Sequence, residues 1–130
     1  MKKYLILSIL AVAALTASAN EIMTKSSDGT YVVNTTTLCK KKGFKGITPV
    51  EVSIKKGKVV KVEALKNIES PGFFVKVTNS LLPLFDGVKL KEAKKMAEGA
   101  LPDGCTGATY SSKAVQENIR MALEYYEAHK

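Results

Sequence analysis

Tryptophan is absent from the 130-residue sequence, and histidine and arginine occur once each, as His129 and Arg120. With a single histidine and only two cysteines, far apart at Cys39 and Cys105, there is no Cys/His cluster of the kind a structural or catalytic zinc site needs. The C-x-x-C spacing of a dithiol redox centre is missing as well. Scarce arginine, and lysine runs without interleaved aromatics, argue against nucleic acid as a partner. Acidic residues are the minority: 20 Lys and Arg face 12 Asp and Glu, a net charge of +8. Lys40 to Lys42 with Lys45, Lys55 to Lys58, and Lys89 to Lys95 read as solvated faces that could add weak attraction to an acidic partner or an anionic membrane surface.

Also lacking is any apolar run of the roughly 20 residues a membrane span needs. The longest, Tyr4 to Leu15, follows Lys2 and Lys3 and precedes Ala17-Ser18-Ala19. A basic start, a short apolar core and an A-x-A site form a secretory signal peptide, expected over 1–19 and cut after Ala19. The remainder is long enough for one domain and too short for two. Periplasmic or secreted localisation follows as an expectation. In that setting Cys39 and Cys105 are compatible with either a disulfide or two free thiols.

Residues 20–30 are polar and read as a flexible arm, with one domain over 31–130. Tyr31 to Leu38 is β-branched and predicts a strand. Val50, Val52 and Ile54 alternate with Glu51, Ser53 and Lys55, Lys56-Gly57 makes a turn, and Val60, Val62 and Ala64 continue on a return strand. Phe73 to Thr78 is the fourth strand candidate. Leu90, Ala93 and Ala97 space as a short helix closing at Gly99. Val115, Ile119, Ala122, Leu123 and Tyr126 recur at three- and four-residue steps and predict a long C-terminal helix with one buried face, capped by Ser111 or Ser112. The fold class expected is α+β: an antiparallel sheet of about four strands packed against a C-terminal helix and one or two short helices.

Just before that helix lies Asp103-Gly104-Cys105-Thr106-Gly107-Ala108-Thr109-Tyr110-Ser111-Ser112. A helix N-terminus presents unpaired N–H groups and a positive dipole end, suited to phosphate. Gly107 lets the backbone approach a ligand, and Ala108 leaves the Thr109 hydroxyl uncrowded. On these grounds alone the stretch suits either an anion site or an ordinary capped loop.

The residues themselves carry a resemblance. Asp103-x-x-Thr106-Gly107-Ala108-Thr109 resembles the D-x-x-[ST]-G-A-T flavinylation motif of the FMN-binding domain family, which includes subunits of sodium-pumping quinone reductase and Rnf-type complexes. Gly43-Phe44-Lys45-Gly46-Ile47-Thr48-Pro49-Val50 resembles the family's G-Y-x-G-P-[IV] block, with looser spacing before the proline. Glu69-Ser70-Pro71-Gly72 resembles its E-T-P-G turn, with Ser for Thr. The resemblance implies FMN held covalently, its phosphate esterified to Thr109 by a flavin transferase that uses FAD and releases AMP. Asp103, Thr106, Gly107, Ala108 and Ser112 would shape the attachment site, and Glu69, Ser70, Pro71 and Gly72 would lie near the flavin. It implies an electron-transfer domain rather than a complete enzyme, working between a membrane donor and an extracytoplasmic acceptor. A secreted binding module without flavin, holding a partner by its basic surface, is the other class.

Overall fold

The computed structural model describes residues 22–130; segment 1–19, expected to be a signal peptide, lies outside the described residues. Four strands, β1 (Met23–Lys25), β2 (Tyr31–Asn34), β3 (Val50–Lys55) and β4 (Lys58–Ala64), form one antiparallel sheet in the order β1-β2-β3-β4. Helix α1 (Pro71–Ser80), a 3-10 turn at Leu82–Phe85, and short α2 (Leu90–Met96) follow. A second 3-10 turn, Asp103–Cys105, leads into α3 (Thr109–His129). The class is α+β, as expected.

The alternation in β3 does what its spacing dictates: Val50, Val52 and Ile54 are fully buried, and Glu51, Ser53 and Lys55 are not. Positive φ at both Lys56 (53°) and Gly57 (75°) closes the β3–β4 hairpin with a two-residue turn whose twist suits the strands. A register shift at Ser53/Ile54 pairs Ile54 with Val59 and Ser53 with Lys61, skipping Val60. Val59 therefore faces the core and Val60, expected inside, is 48% exposed.

Two further expectations are corrected. Met23–Lys25, inside the stretch read as an arm, pairs with Tyr31–Val33 as an edge strand. Phe73 to Thr78 is not a strand but the body of α1. Pro71 sits in the first helical turn, where its fixed φ and missing N–H cost nothing. Phe74, Val77 and Leu81 are buried, a three-then-four spacing that sets the helical period, while Phe73 and Val75 point outward.

Helix α3 lies across β2 and β3 and buries Val115, Ile119, Ala122, Leu123 and Tyr126, the face its periodicity marks. The rings of Tyr126 and Tyr31 meet edge to face at 5.2 Å. A polar tie fixes the helix on the sheet. The fully buried Thr35 hydroxyl donates to Asn118 Oδ1 (2.5 Å) and accepts from the Val50 N–H (2.9 Å), and Asn118 Nδ2 donates to the Ala114 carbonyl (2.8 Å). Cys39 and Cys105 are both buried and unbridged, and burial pushes the Cys39 thiol up from its usual range. No helix among the described residues is long and apolar enough to cross a membrane.

Replacing Thr35 with valine keeps the shape but orphans the Val50 N–H and the Asn118 carbonyl. Thr35→Val should cost about 1–3 kcal/mol in urea denaturation. An unchanged midpoint would show that the tie carries no stability.

Candidate functional site

The loop ahead of α3 is built tightly. Gly104 packs on α1 so closely that a Cβ there would stand 2.1 Å from Ser80 Oγ and 2.6 Å from Ser80 Cβ. The Asp103 carbonyl accepts from both the Thr106 N–H (3.0 Å) and the Thr106 hydroxyl (2.7 Å), so Thr106 shapes the turn. Gly107 turns the chain at φ +89°, a conformation that favours glycine. Ala108 is buried and its N–H reaches the Cys105 carbonyl (2.8 Å). Thr109 then emerges exposed as the first residue of α3.

That start differs from the one expected. Ser111 and Ser112 do not cap the helix; they lie inside it, buried at 3% and 0% exposure. Ala108 stands at the cap position with no side-chain bond to offer. The first turn's N–H groups, which have no partner within a helix, thus also lack a capping side chain. An uncapped helix terminus is a place for an anion to bind.

Ser111 is used elsewhere. Its hydroxyl donates to Glu69 Oε1, which also accepts from the Phe44 N–H (2.7 Å), while Glu69 Oε2 accepts from the N–H groups of Lys45 (2.7 Å) and Gly46 (2.9 Å). One buried carboxylate therefore joins the Gly43–Gly46 bend to the first turn of α3. Gly43 is required by that closeness, since a Cβ would stand 2.5 Å from Glu69 Oε1 and 3.1 Å from Ser111 Cα. Burial opposes ionisation of Glu69, but the Ser111 hydroxyl and the three N–H groups outweigh it and hold its pKa below the usual 4.5.

The bend so held presents Phe44 beside Tyr110, ring centroids 6.4 Å apart. These rings, with Phe73 of α1, give the apolar lining of a cleft of about 230 Å³, which Glu69, Ser70 and Ser111 also line. Gly107, Ala108 and Thr109 line its remaining side. Phe44, Phe73 and Tyr110 are 70%, 52% and 68% exposed, so this aromatic surface is paired with little else. Enclosing pockets run to about 300–1,000 Å³, so a ligand here keeps part of its surface open to solvent.

Of the residues singled out from sequence, the cleft gathers Glu69, Ser70, Gly107, Ala108 and Thr109. Pro71 and Gly72 start α1 outside its lining, with open space around Gly72. Asp103 is exposed, and its carboxylate makes no hydrogen bond with the described residues. Ser112 is not part of the cleft lining, and its buried hydroxyl has no partner among the described residues. Phe44, Tyr110 and Lys76 were not anticipated as parts of the site. Lys76 reaches from α1 to donate to the Thr106 carbonyl at 2.7 Å. Phe44 and Tyr110 had a signal in the sequence, large aromatics inside the two glycine-containing motif stretches, whereas Lys76 depends on the helical geometry of α1.

The model of the FMN-binding domain matches residues 43–124, from the bend through most of α3. The chain belongs to the FMN-binding domain family. Neither the comparison with curated proteins nor that with solved structures returned a match. The matched span of this FMN-binding domain holds the bend, the Glu69 turn and the loop ending at Thr109, the segments that build the cleft. The residues fit the group: an aromatic cleft suits a planar ring, an uncapped helix terminus suits a phosphate, and Gly107 opens the backbone between them.

Glu69 has a consequence for pH. Its folded pKa is depressed, so its stabilisation is complete above the unfolded value and is lost as pH falls through the folded one. Glu69→Gln should lower stability by about 3 kcal/mol at pH 7 in urea denaturation. The gap from the parent should narrow as pH falls below about 4.5. A gap independent of pH would show that the carboxylate charge is not what binds the bend.

Proposed function

We propose that this FMN-binding domain is an exported electron carrier whose FMN is joined to Thr109 by a phosphoester bond. One observation carries the reading: the Thr109 hydroxyl stands exposed at an uncapped helix N-terminus on the rim of an aromatic cleft, at the last position of the D-x-x-T-G-A-T motif. The first-turn N–H groups would hold a phosphate esterified there, and Phe44, Phe73 and Tyr110 would offer the flavin ring an apolar surface. Bound FMN supplies one- and two-electron chemistry of its own.

The chain's residues hold and orient. In attachment, Thr109 Oγ forms a bond to the flavin-side phosphorus of FAD, the pyrophosphate bond breaks, AMP leaves, and the hydroxyl proton passes to a base of the flavin transferase. Asp103 belongs to this step rather than to the fold, because its carboxylate makes no hydrogen bond with the described residues. Its negative charge suits it to orient the Thr109 hydroxyl or hold the transferase's metal ion during transfer. The open cleft serves electron transfer to a large partner better than enclosure of a small substrate.

Export follows from the signal peptide expected over 1–19. A covalent tether fits that destination, because a secreted protein with dissociable FMN would lose it to dilution. The partners are then a flavin transferase for maturation, a membrane donor and an extracytoplasmic acceptor. The lysine-rich surface adds weak attraction to an acidic partner or an anionic membrane.

Two substitutions test the assignment when coexpressed with a transferase. Thr109→Ala should fold and carry no flavin after denaturation, as read by intact mass. Covalent flavin retained in that variant would exclude Thr109 as the acceptor. Asp103→Ala should stay within about 0.5 kcal/mol of the parent in stability yet load less flavin. Equal loss of both would assign Asp103 to the fold.

A further inference from the structure

We propose that Lys76 is the cation that balances the phosphodiester at Thr109, a role that rests on the covalent attachment proposed above. Half-buried Lys76 projects from α1 across the loop, and its ammonium donates to the Thr106 carbonyl at 2.7 Å. That bond occupies one of three N–H groups; the others are available to an anion. The ammonium lies 3.0 Å from where a Cβ on Gly107 would be, two residues before the attachment threonine. Glycine at 107 therefore does two things: it adopts φ +89°, and it leaves the space through which the lysine reaches the loop.

The same ammonium stands 6.0 Å from the centroid of the Phe73 ring, which forms a wall of the cleft. One side chain thus touches both the attachment loop and the aromatic surface. Of the lysines near the loop, Lys76 is the one hydrogen-bonded to it; Lys45 and Lys113 make no side-chain hydrogen bond with the described residues. Charge explains the need. A phosphodiester adds a negative charge to a loop that already carries the Asp103 carboxylate, and the partial charge of a helix N-terminus offsets only about half of one. A full positive charge at Lys76 supplies the balance, and its place on α1 fixes the loop before the flavin arrives.

The test uses FMN-loaded protein and reads the phosphorus-31 resonance of the phosphodiester in the parent, Lys76→Gln and Lys76→Arg. Gln keeps an N–H donor for the Thr106 carbonyl but loses the charge; Arg keeps the charge. The expected result is a shifted resonance in Lys76→Gln and a parent-like one in Lys76→Arg, with all three proteins equally stable to urea. A parent-like resonance in Lys76→Gln would overturn the proposal, since the hydrogen bond to the loop would then be the whole role. So would an equal shift in both variants. A parent protein with no phosphodiester signal would instead remove the attachment reading beneath it.

Discussion

A single carboxylate holds the site together. Glu69 gathers three consecutive N–H groups from the 44–46 bend and the hydroxyl of Ser111 in the first turn of α3, two bonds to each oxygen. Segments 25 and 42 residues apart in sequence meet at that point. A buried carboxylate without partners would be costly, and fully bonded it becomes a rigid joint. The glycines at 43 and 46 follow from it. The former has no room for a side chain against Glu69 and Ser111, and the latter packs under Ile68. The wall bearing Phe44 and the helix bearing Thr109 are positioned by one interaction, so the cleft exists before any ligand enters.

The rest of the domain backs that joint. Sheet and helix α3 meet through an aliphatic core and the Thr35–Asn118 tie, which sets where the helix runs along the sheet. Helix α1 supplies Phe73 to the cleft, Lys76 to the loop and the Ser80 surface on which Gly104 rests. The loop ahead of α3 is held at both of its glycines, Gly104 against Ser80 and Gly107 against Lys76. An exposed threonine on so fixed a loop presents its hydroxyl in a defined direction, which is what a modifying enzyme needs of its target.

Much of this was legible from the chain alone. The buried faces of β3 and α3 could be read directly, because period two and period 3.6 are unambiguous when one face is apolar. Phe73 to Thr78 was misread because Val75, Val77 and Thr78 favour strands locally, while burial of Phe74, Val77 and Leu81 against the core decides for helix. Met23–Lys25 is too short and polar to announce itself; pairing with β2 makes it a strand. Ser111 and Ser112 looked like caps because serines before a helix commonly are, yet the helix begins at Thr109 and turns Ser111 toward Glu69. Glu69 was placed near the flavin by its motif, and its work of joining bend to helix could not be seen without the fold. Lys76 carried no sequence signal, since its reach to residue 106 spans 30 positions.

The most direct measurement is the intact mass of the denatured protein purified from its native host, beside its visible absorbance. The account predicts a yellow polypeptide heavier than its processed chain by one esterified FMN, with the added mass mapping to the peptide containing Thr109. A colourless protein with the mass of the bare processed chain would contradict it.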